Sequence, residues 1–126
     1  MKDLKYYLRI KALPEDVYAC LTNPFTIELW SGYKAHMKAE ENTEFEMWDG
    51  DISGKVLKLV PNRLVEQEWY FGEQEEKSIV TIKLHAERHH VSVELRHTNI
   101  PDEIFEEIEM GWKEHYLGRI KAFLEL

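Results

Sequence analysis

The last stretch of the chain, PDEIFEEIEMGWKEHYLGRIKAFLEL at residues 101–126, decides the fold. Large apolar residues recur along it at helical spacing, which predicts one long amphipathic helix. Acidic residues gather at its beginning and basic residues towards its end, as the helix dipole favours. The apolar face of this helix carries Ile104, Ile108, Trp112, Tyr116, Ile120 and Phe123.

The segments upstream of this helix alternate apolar and polar residues, which is typical of antiparallel strands with one buried face. A first strand runs through Tyr6, Leu8 and Ile10, and two short helices follow it, separated by Asn23-Pro24. A sheet with one apolar face must be covered, and only the terminal helix is long enough to cover it.

Two hairpins have a predictable register. Asp49-Gly50 predicts a two-residue turn that pairs Phe45 with Gly54. Segments 79–86 and 90–98 predict a second hairpin with its turn centred on residues 87–88. That register places Val80 opposite Leu95 and Leu84 opposite Val91, and it makes His85 and His90 neighbours across the strands.

These elements predict an α+β fold. We expect a curved antiparallel sheet of about six or seven strands around the long C-terminal helix, with two short helices after the first strand. We expect residues 1–126 to form a single domain, since the length fits one hydrophobic core and hardly two. Such an arrangement often leaves a cavity between sheet and helix.

The composition argues against several classes of function. Acidic residues number 24 and basic residues 16, so the formal charge is −8, and we expect neither nucleic-acid nor membrane-surface binding. A single cysteine, Cys20, rules out an intramolecular disulfide. No segment has the apolar length of a signal peptide or a membrane span, so we expect a cytoplasmic protein.

Several segments, in order, resemble one known family. FEMWDGDISG at residues 45–54 resembles the glycine-containing hairpin of the activator of heat shock protein 90 ATPase homologue family. LTNP at 21–24 and WSG at 30–32 are similar to the early part of that family's sequence. IPDE at 100–103 and GW at 111–112 are similar to its terminal helix. Together they span nearly the whole chain.

The resemblance implies the helix-grip fold of the birch-pollen-allergen and START-like domains, the SRPBCC superfamily. Within the family, the sequence is similar to the C-terminal domain of the eukaryotic co-chaperone that stimulates heat shock protein 90. That co-chaperone has a further N-terminal domain in contact with the chaperone, and nothing precedes the first strand here. We therefore expect a non-enzymatic module that docks on a heat shock protein 90 family chaperone rather than one that stimulates its ATPase.

Two alternatives stay open. The domain binds or carries a small hydrophobic ligand in the cavity between sheet and helix, or it is a cyclase-type enzyme acting there. The expected cavity residues are Trp30, Phe45, Gln67, Trp69, His97, Ile108, Trp112 and Tyr116. The other interpretation of the aromatic members is that they fill the space completely and form a core.

The polar members of this set each allow two interpretations. Gln67 lies on the apolar face of its strand, where it either serves a pocket or bonds to a backbone group at a sheet bulge. His97 is either a hydrogen-bonded core histidine or a ligand or base. Gly111 and Gly118 interrupt the helix, either for tight packing or to leave room for a ligand beside Trp112.

Two clusters of charged or titratable side chains are expected on the surface. Asp102, Glu103, Glu106 and Glu107 form an acidic patch that suits docking to a basic partner, or else only stabilise the helix start. His85, His89 and His90 cluster at one turn, and we interpret them as solvated side chains rather than a metal site. No catalytic motif is present, so we expect no catalytic residue and no cofactor.

Overall fold

A computed structural model of residues 1–126 contains one antiparallel sheet of six strands. The strands are β1 (Lys2–Ile10), β2 (Glu44–Met47), β3 (Ile52–Val60), β4 (Leu64–Trp69), β5 (Ser78–Ala86) and β6 (Val91–Ile100). They lie in the order β1-β6-β5-β4-β3-β2, so β2 to β6 form a meander and β1 pairs with the last strand. The predicted fold class is confirmed, with six strands.

Two short helices connect β1 to the opposite edge of the sheet. They are α1 (Pro14–Thr22) and α2 (Pro24–Ser31), and both begin at a proline. Asn23 separates them and caps α2, because its side-chain oxygen accepts hydrogen bonds from the backbone N–H groups of Phe25 and Thr26. None of the helices is long and apolar enough to span a membrane.

The C-terminal helix, residues 105–124, is not uniform. It consists of α3 (Phe105–Met110), a π-helical segment (Gly111–Tyr116) and α4 (Leu117–Leu124). The backbone N–H of Leu117 donates to the carbonyl of Trp112, five residues earlier instead of four. The additional residue rotates the buried face, so that Tyr116 and its neighbour Leu117 are both buried. The long helix is confirmed, with a π-helical insertion that its periodicity did not indicate.

The hydrophobic core is a single cluster of 25 buried residues between sheet and helices. The two ends of the C-terminal helix contribute to it unequally. Its first part, α3, has no buried residue, whereas α4 buries Leu117 and Ile120. The helix is therefore packed against the core mainly through its second half.

The register of the β2–β3 hairpin is as predicted, but its turn is longer. Phe45 pairs with Gly54 and the strands end at Met47 and Ile52, so the connection is a four-residue turn, 48–51. Trp48 in this turn has a φ of 50°, in the left-handed region that bulky residues rarely adopt. A short 3₁₀ turn rather than a two-residue hairpin turn thus carries the tryptophan.

The predicted register of the β5–β6 hairpin is wrong by two residues. Val80 pairs with His97 and Leu84 with Val93, and residues 87–90 form a four-residue loop. Residues 87 and 88 are Glu and Arg, which disfavour the positive φ that a two-residue turn requires. A shift of two keeps every side chain on its predicted face.

The observed register also separates His85 from His90. His85 lies opposite Ser92 and contacts Glu94 at 3.2 Å, whereas His90 lies 3.2 Å from Glu87. They are not cross-strand neighbours. No three His, Cys, Asp or Glu side chains in the chain come together in a way that suits a metal ion.

Candidate functional site

A cleft of about 300 Å³ opens between the first half of the C-terminal helix and the turn that joins β2 to β3. Trp48, Asp51, Ile52 and Trp69 form its wall on the sheet side. The helix contributes the opposite wall, which consists of Glu107, Ile108, Gly111, Trp112, His115 and Tyr116. The volume is at the small end of the range for ligand pockets.

Aromatic rings make up most of the apolar wall. Trp69 stacks on Trp112 with ring centroids 4.8 Å apart, and Trp112 contacts Tyr116 at 4.5 Å. Trp48 packs edge-on against Tyr116 at 5.5 Å and against Trp30 at 5.7 Å. These contacts hold Trp48 in its left-handed conformation. All four tryptophans therefore belong to one connected cluster beside the cleft.

His97 lies behind this wall and is hydrogen-bonded at both ring nitrogens. Trp112 Nε1 donates to His97 Nδ1 over 3.0 Å, and His97 Nε2 lies 2.8 Å from Ser78 Oγ. An indole N–H only donates, so Nδ1 is unprotonated and the neutral imidazole carries its hydrogen on Nε2. That hydrogen goes to Ser78 Oγ, whose hydroxyl donates to the carbonyl of Thr98 over 2.8 Å.

Burial sets the charge state of this histidine. It lowers the pKa of His97 from its ordinary value of 6.5 to about 3. Protonation would also place an N–H on Nδ1 against the N–H of Trp112. The structure thus favours the first interpretation of His97, a hydrogen-bonded core residue.

Gln67 has a comparable explanation. Its side-chain oxygen accepts a hydrogen bond from Trp69 Nε1 over 3.0 Å, and both residues are buried. Next to it, the pairing of β3 with β4 shifts between Val56 and Lys58, which marks a bulge. Gln67 therefore satisfies the indole N–H that its neighbour would otherwise bury without a partner.

The structure divides the predicted cavity residues into two groups. Trp69, Ile108, Trp112 and Tyr116 line the cleft. The other four are buried in the packed region beside it and do not line its wall: Trp30, Phe45, Gln67 and His97.

Other cleft residues were not among the predicted cavity residues, although the sequence offered Gly111 as room for a ligand beside Trp112. Gly111 and His115 follow Ile108 at helical spacing, so the helix period could have predicted that they share its face. Trp48, Asp51 and Ile52 were assigned to the hairpin, and no sequence pattern indicated that this turn approaches the helix. Glu107 was predicted for docking and also lines the cleft.

The two helix glycines have different environments. A Cβ atom on Gly118 would lie 2.2 Å from the carbonyl oxygen of Lys113, a backbone atom that cannot easily move. A Cβ atom on Gly111 would meet no atom within 4 Å. Gly118 is thus required by the π-helical geometry, whereas Gly111 borders open space in the cleft.

The predicted acidic patch lies on the solvent side of the helix start. Asp102, Glu103, Glu106 and Glu107 are all exposed. Asp102 lies 2.7 Å from the N-terminal ammonium of Met1, which lowers the pKa of this carboxyl by a hydrogen bond and by charge. The other three make no ion pair within the chain.

A sheet curved around a C-terminal helix, with a cleft at their interface, defines a helix-grip domain of the START-like type. Residues 11–125 match the family described as Activator of Hsp90 ATPase homolog 1-like protein. The chain belongs to this family.

Sequence relatives agree with this assignment. The human activator of 90 kDa heat shock protein ATPase homolog 1 is 28% identical over 110 residues, which cover 86% of this chain and 32% of that protein. The corresponding activator homolog of Dictyostelium discoideum is 29% identical over 123 residues, which cover 95% of this chain and 32% of that protein. The chain therefore spans about a third of the length of the curated relatives it matches.

Solved structures show the same fold. An Hsp90 activator from Plasmodium falciparum superposes with a TM-score of 0.91 at 20% identity, covering 99% of this chain and 97% of that one. The Aha1 dimer from Colwellia psychrerythraea superposes with a TM-score of 0.88 at 21% identity, and the match covers 100% of this chain and 98% of that one.

Proposed function

We propose that this protein is a non-enzymatic binding domain that docks on a chaperone of the Hsp90 family. The observation that carries the proposal is the match of residues 11–125 to the activator family, supported by relatives that are named as activators of the Hsp90 ATPase. Because the chain spans about a third of those relatives, the proposal concerns docking and not the stimulation of ATP hydrolysis.

The start of the C-terminal helix is the surface best suited to this docking. Glu103 and Glu106 are exposed and have no cationic partner within the chain. A basic region on the chaperone would find unpaired negative charge there, and such charge steers association more than it fixes final affinity. Electrostatic docking of this kind weakens when salt screens the charges.

Titration calorimetry with the Hsp90-family chaperone of the same organism tests the proposal. We expect a complex whose dissociation constant rises by roughly tenfold between about 25 mM and about 250 mM salt. The double variant Glu103→Gln/Glu106→Gln should weaken binding at low salt by about fivefold.

The control for this experiment is Glu73→Gln/Glu75→Gln. It removes the same charge from an exposed loop of the sheet and should bind as the unmodified chain does. The absence of a complex at low salt would refute docking. Equal loss in both double variants would refute the assignment of the surface, since only net charge would then matter.

The cleft supports a second function, the binding of a small apolar ligand. Its aromatic walls and the space beside Gly111 are the observations in favour. Native mass spectrometry of protein purified from its own host should then show a retained mass of small-molecule size. Catalysis has less support, because both nitrogens of His97 are already occupied by hydrogen bonds.

A further inference from the structure

We propose that the cleft binds a small organic cation, a molecule with an apolar body and an ammonium group. This inference rests on the second function proposed above, ligand binding in the cleft, and specifies the chemical class of the ligand. It follows from three features of the wall: where its hydrogen-bond donors point, which charges it carries and where it leaves space.

The donors of the aromatic wall point away from the cleft. Trp69 Nε1 donates to Gln67, and Trp112 Nε1 donates to His97. The hydroxyl of Tyr116 is directed at the sulfur of Met47, 3.7 Å away. These three side chains are buried and offer no donor to the cleft, so the donors that remain are the indole of Trp48, which is only half-buried, and His115. An anionic ligand would find few donors here, whereas a cation is attracted to indole faces.

The charged residues of the wall also favour a cation over an anion. Asp51 and Glu107 lie on opposite walls, one in the turn before β3 and the other in α3. Neither carboxylate makes an ion pair or a side-chain hydrogen bond within the chain, and no lysine or arginine lines the cleft. Both carboxylates are exposed, so a positively charged ligand in the cleft can pair with either of them.

The space in the cleft is next to Gly111. Glycine in a helix interior is less favourable than alanine, yet no neighbouring atom requires a glycine at this position. The contrast with Gly118, which Lys113 does require, shows that the two glycines have different causes. At Gly111, the missing side chain leaves open space in the cleft beside Ile108.

Three matched probes test the charge preference on the full chain. Benzyltrimethylammonium is the cation, neopentylbenzene is its uncharged carbon analogue, and phenylmethanesulfonate is an anion of similar size. Shifts of the tryptophan indole N–H signals in ¹⁵N–¹H spectra report binding. We expect the cation to bind roughly tenfold more tightly than the neutral analogue, and the anion not to bind measurably.

Variants then locate the site. Asp51→Asn/Glu107→Gln should remove most of the cation's advantage while leaving the neutral probe unchanged. Glu103→Gln/Glu106→Gln removes the same charge outside the cleft and should have little effect. Gly111→Leu should abolish the binding of every probe by filling the space, and Gly111→Ala should weaken it to a lesser degree.

The outcomes separate the two claims. If the neutral probe binds as tightly as the cation and Gly111→Leu abolishes both, the cleft is a ligand site and the charge inference is overturned. If no probe binds, or if binding survives both Gly111→Leu and Asp51→Asn/Glu107→Gln, then ligand binding in the cleft is overturned together with its charge preference. Docking on the chaperone is tested separately and is unaffected by either result.

Discussion

The C-terminal helix meets the sheet differently on the two sides of Trp112. On the closed side, the indole N–H of Trp112 is bonded to His97, and Gly118 allows the close approach of the Lys113 carbonyl. On the open side, Gly111 faces empty space and α3 buries no residue. One helix thus lines a cleft with residues between Glu107 and Tyr116 and packs into the core from Trp112 to Ile120, and the two functions overlap at Trp112 and Tyr116.

This difference shows what determines whether an aromatic interface closes. On the closed side, every polar atom brought into the interior has a partner, so the surfaces can meet without water. On the open side, the unpaired carboxylates of Asp51 and Glu107 resist burial, because charged groups without partners are costly to desolvate. The same kinds of aromatic residue therefore make core in one place and a cleft in the other.

The largest expected effect comes from Gly118→Ala. The new methyl group would lie 2.2 Å from a backbone oxygen, so the π-helical segment must shift. We expect the free energy of unfolding to fall by about 3–4 kcal/mol in urea titrations followed by circular dichroism. A loss of well under 1 kcal/mol would contradict the assignment of this glycine to the closed side.

Because His97 is buried in its neutral form, the free energy of unfolding should depend on pH. Its pKa of about 3 in the folded chain is below the unfolded value of 6.5, so the unfolded chain binds the proton first as pH falls. The stability contribution is therefore complete above pH 6.5 and is lost as pH falls towards 3. Between about pH 7 and pH 4, we expect unmodified protein to lose roughly 3 kcal/mol more than His97→Gln does.

A control for this measurement is His115→Gln, which changes an exposed histidine that lines the cleft. It should retain the pH dependence of the unmodified protein. Equal slopes of unfolding free energy against pH in the His97→Gln and unmodified proteins would show that the buried imidazole is not held neutral.

Trp112→Phe should have the next largest effect on stability. It keeps an aromatic ring but leaves Nδ1 of the buried His97 without its donor, at an expected loss of about 2 kcal/mol. Trp48→Phe is the matched change on the open side, where the indole N–H has no partner in the chain, and should cost less than about 1 kcal/mol. Thermal unfolding of both variants compares the two sides, and similar losses would contradict the distinction.

The smallest effect is expected from Gly111→Ala, and its sign is opposite. Alanine fits the open space and favours helix, so stability should increase by about 0.5–1 kcal/mol. A destabilised variant would mean that Gly111 packs more closely than the structure shows. Urea titration in parallel with Gly118→Ala makes the comparison direct.

The sequence allowed the fold to be predicted wherever local chemistry determines it. Asp49-Gly50 indicated the β2–β3 register, and Gly50 does adopt a positive φ of 92°. Residues 87–90 contain no glycine or asparagine to mark the turn, and there the predicted register was wrong by two residues. The π-helical segment was also missed, because a few turns of helical periodicity cannot distinguish it from an α-helix.

The candidate site was less predictable, because its geometry depends on contacts between distant segments. The helix period identified Trp112 and Tyr116, but the tautomer of His97 depends on Trp112, fifteen residues later in the chain. Likewise, the approach of Trp48 to Tyr116 depends on a turn conformation that its residues rarely adopt. Local patterns therefore predicted the elements, and long-range contacts decided which residues line the cleft.

We propose that this family member docks on an Hsp90-family chaperone through the start of its C-terminal helix, residues 102–111. The most direct test is to titrate ¹⁵N-labelled protein with the unlabelled chaperone of the same organism and to follow each backbone amide. We expect the signals of residues 102–111 to shift or broaden first, while those of the β5–β6 loop, residues 87–90, stay unchanged. Uniform behaviour of both segments, or no change at all, would contradict the claim.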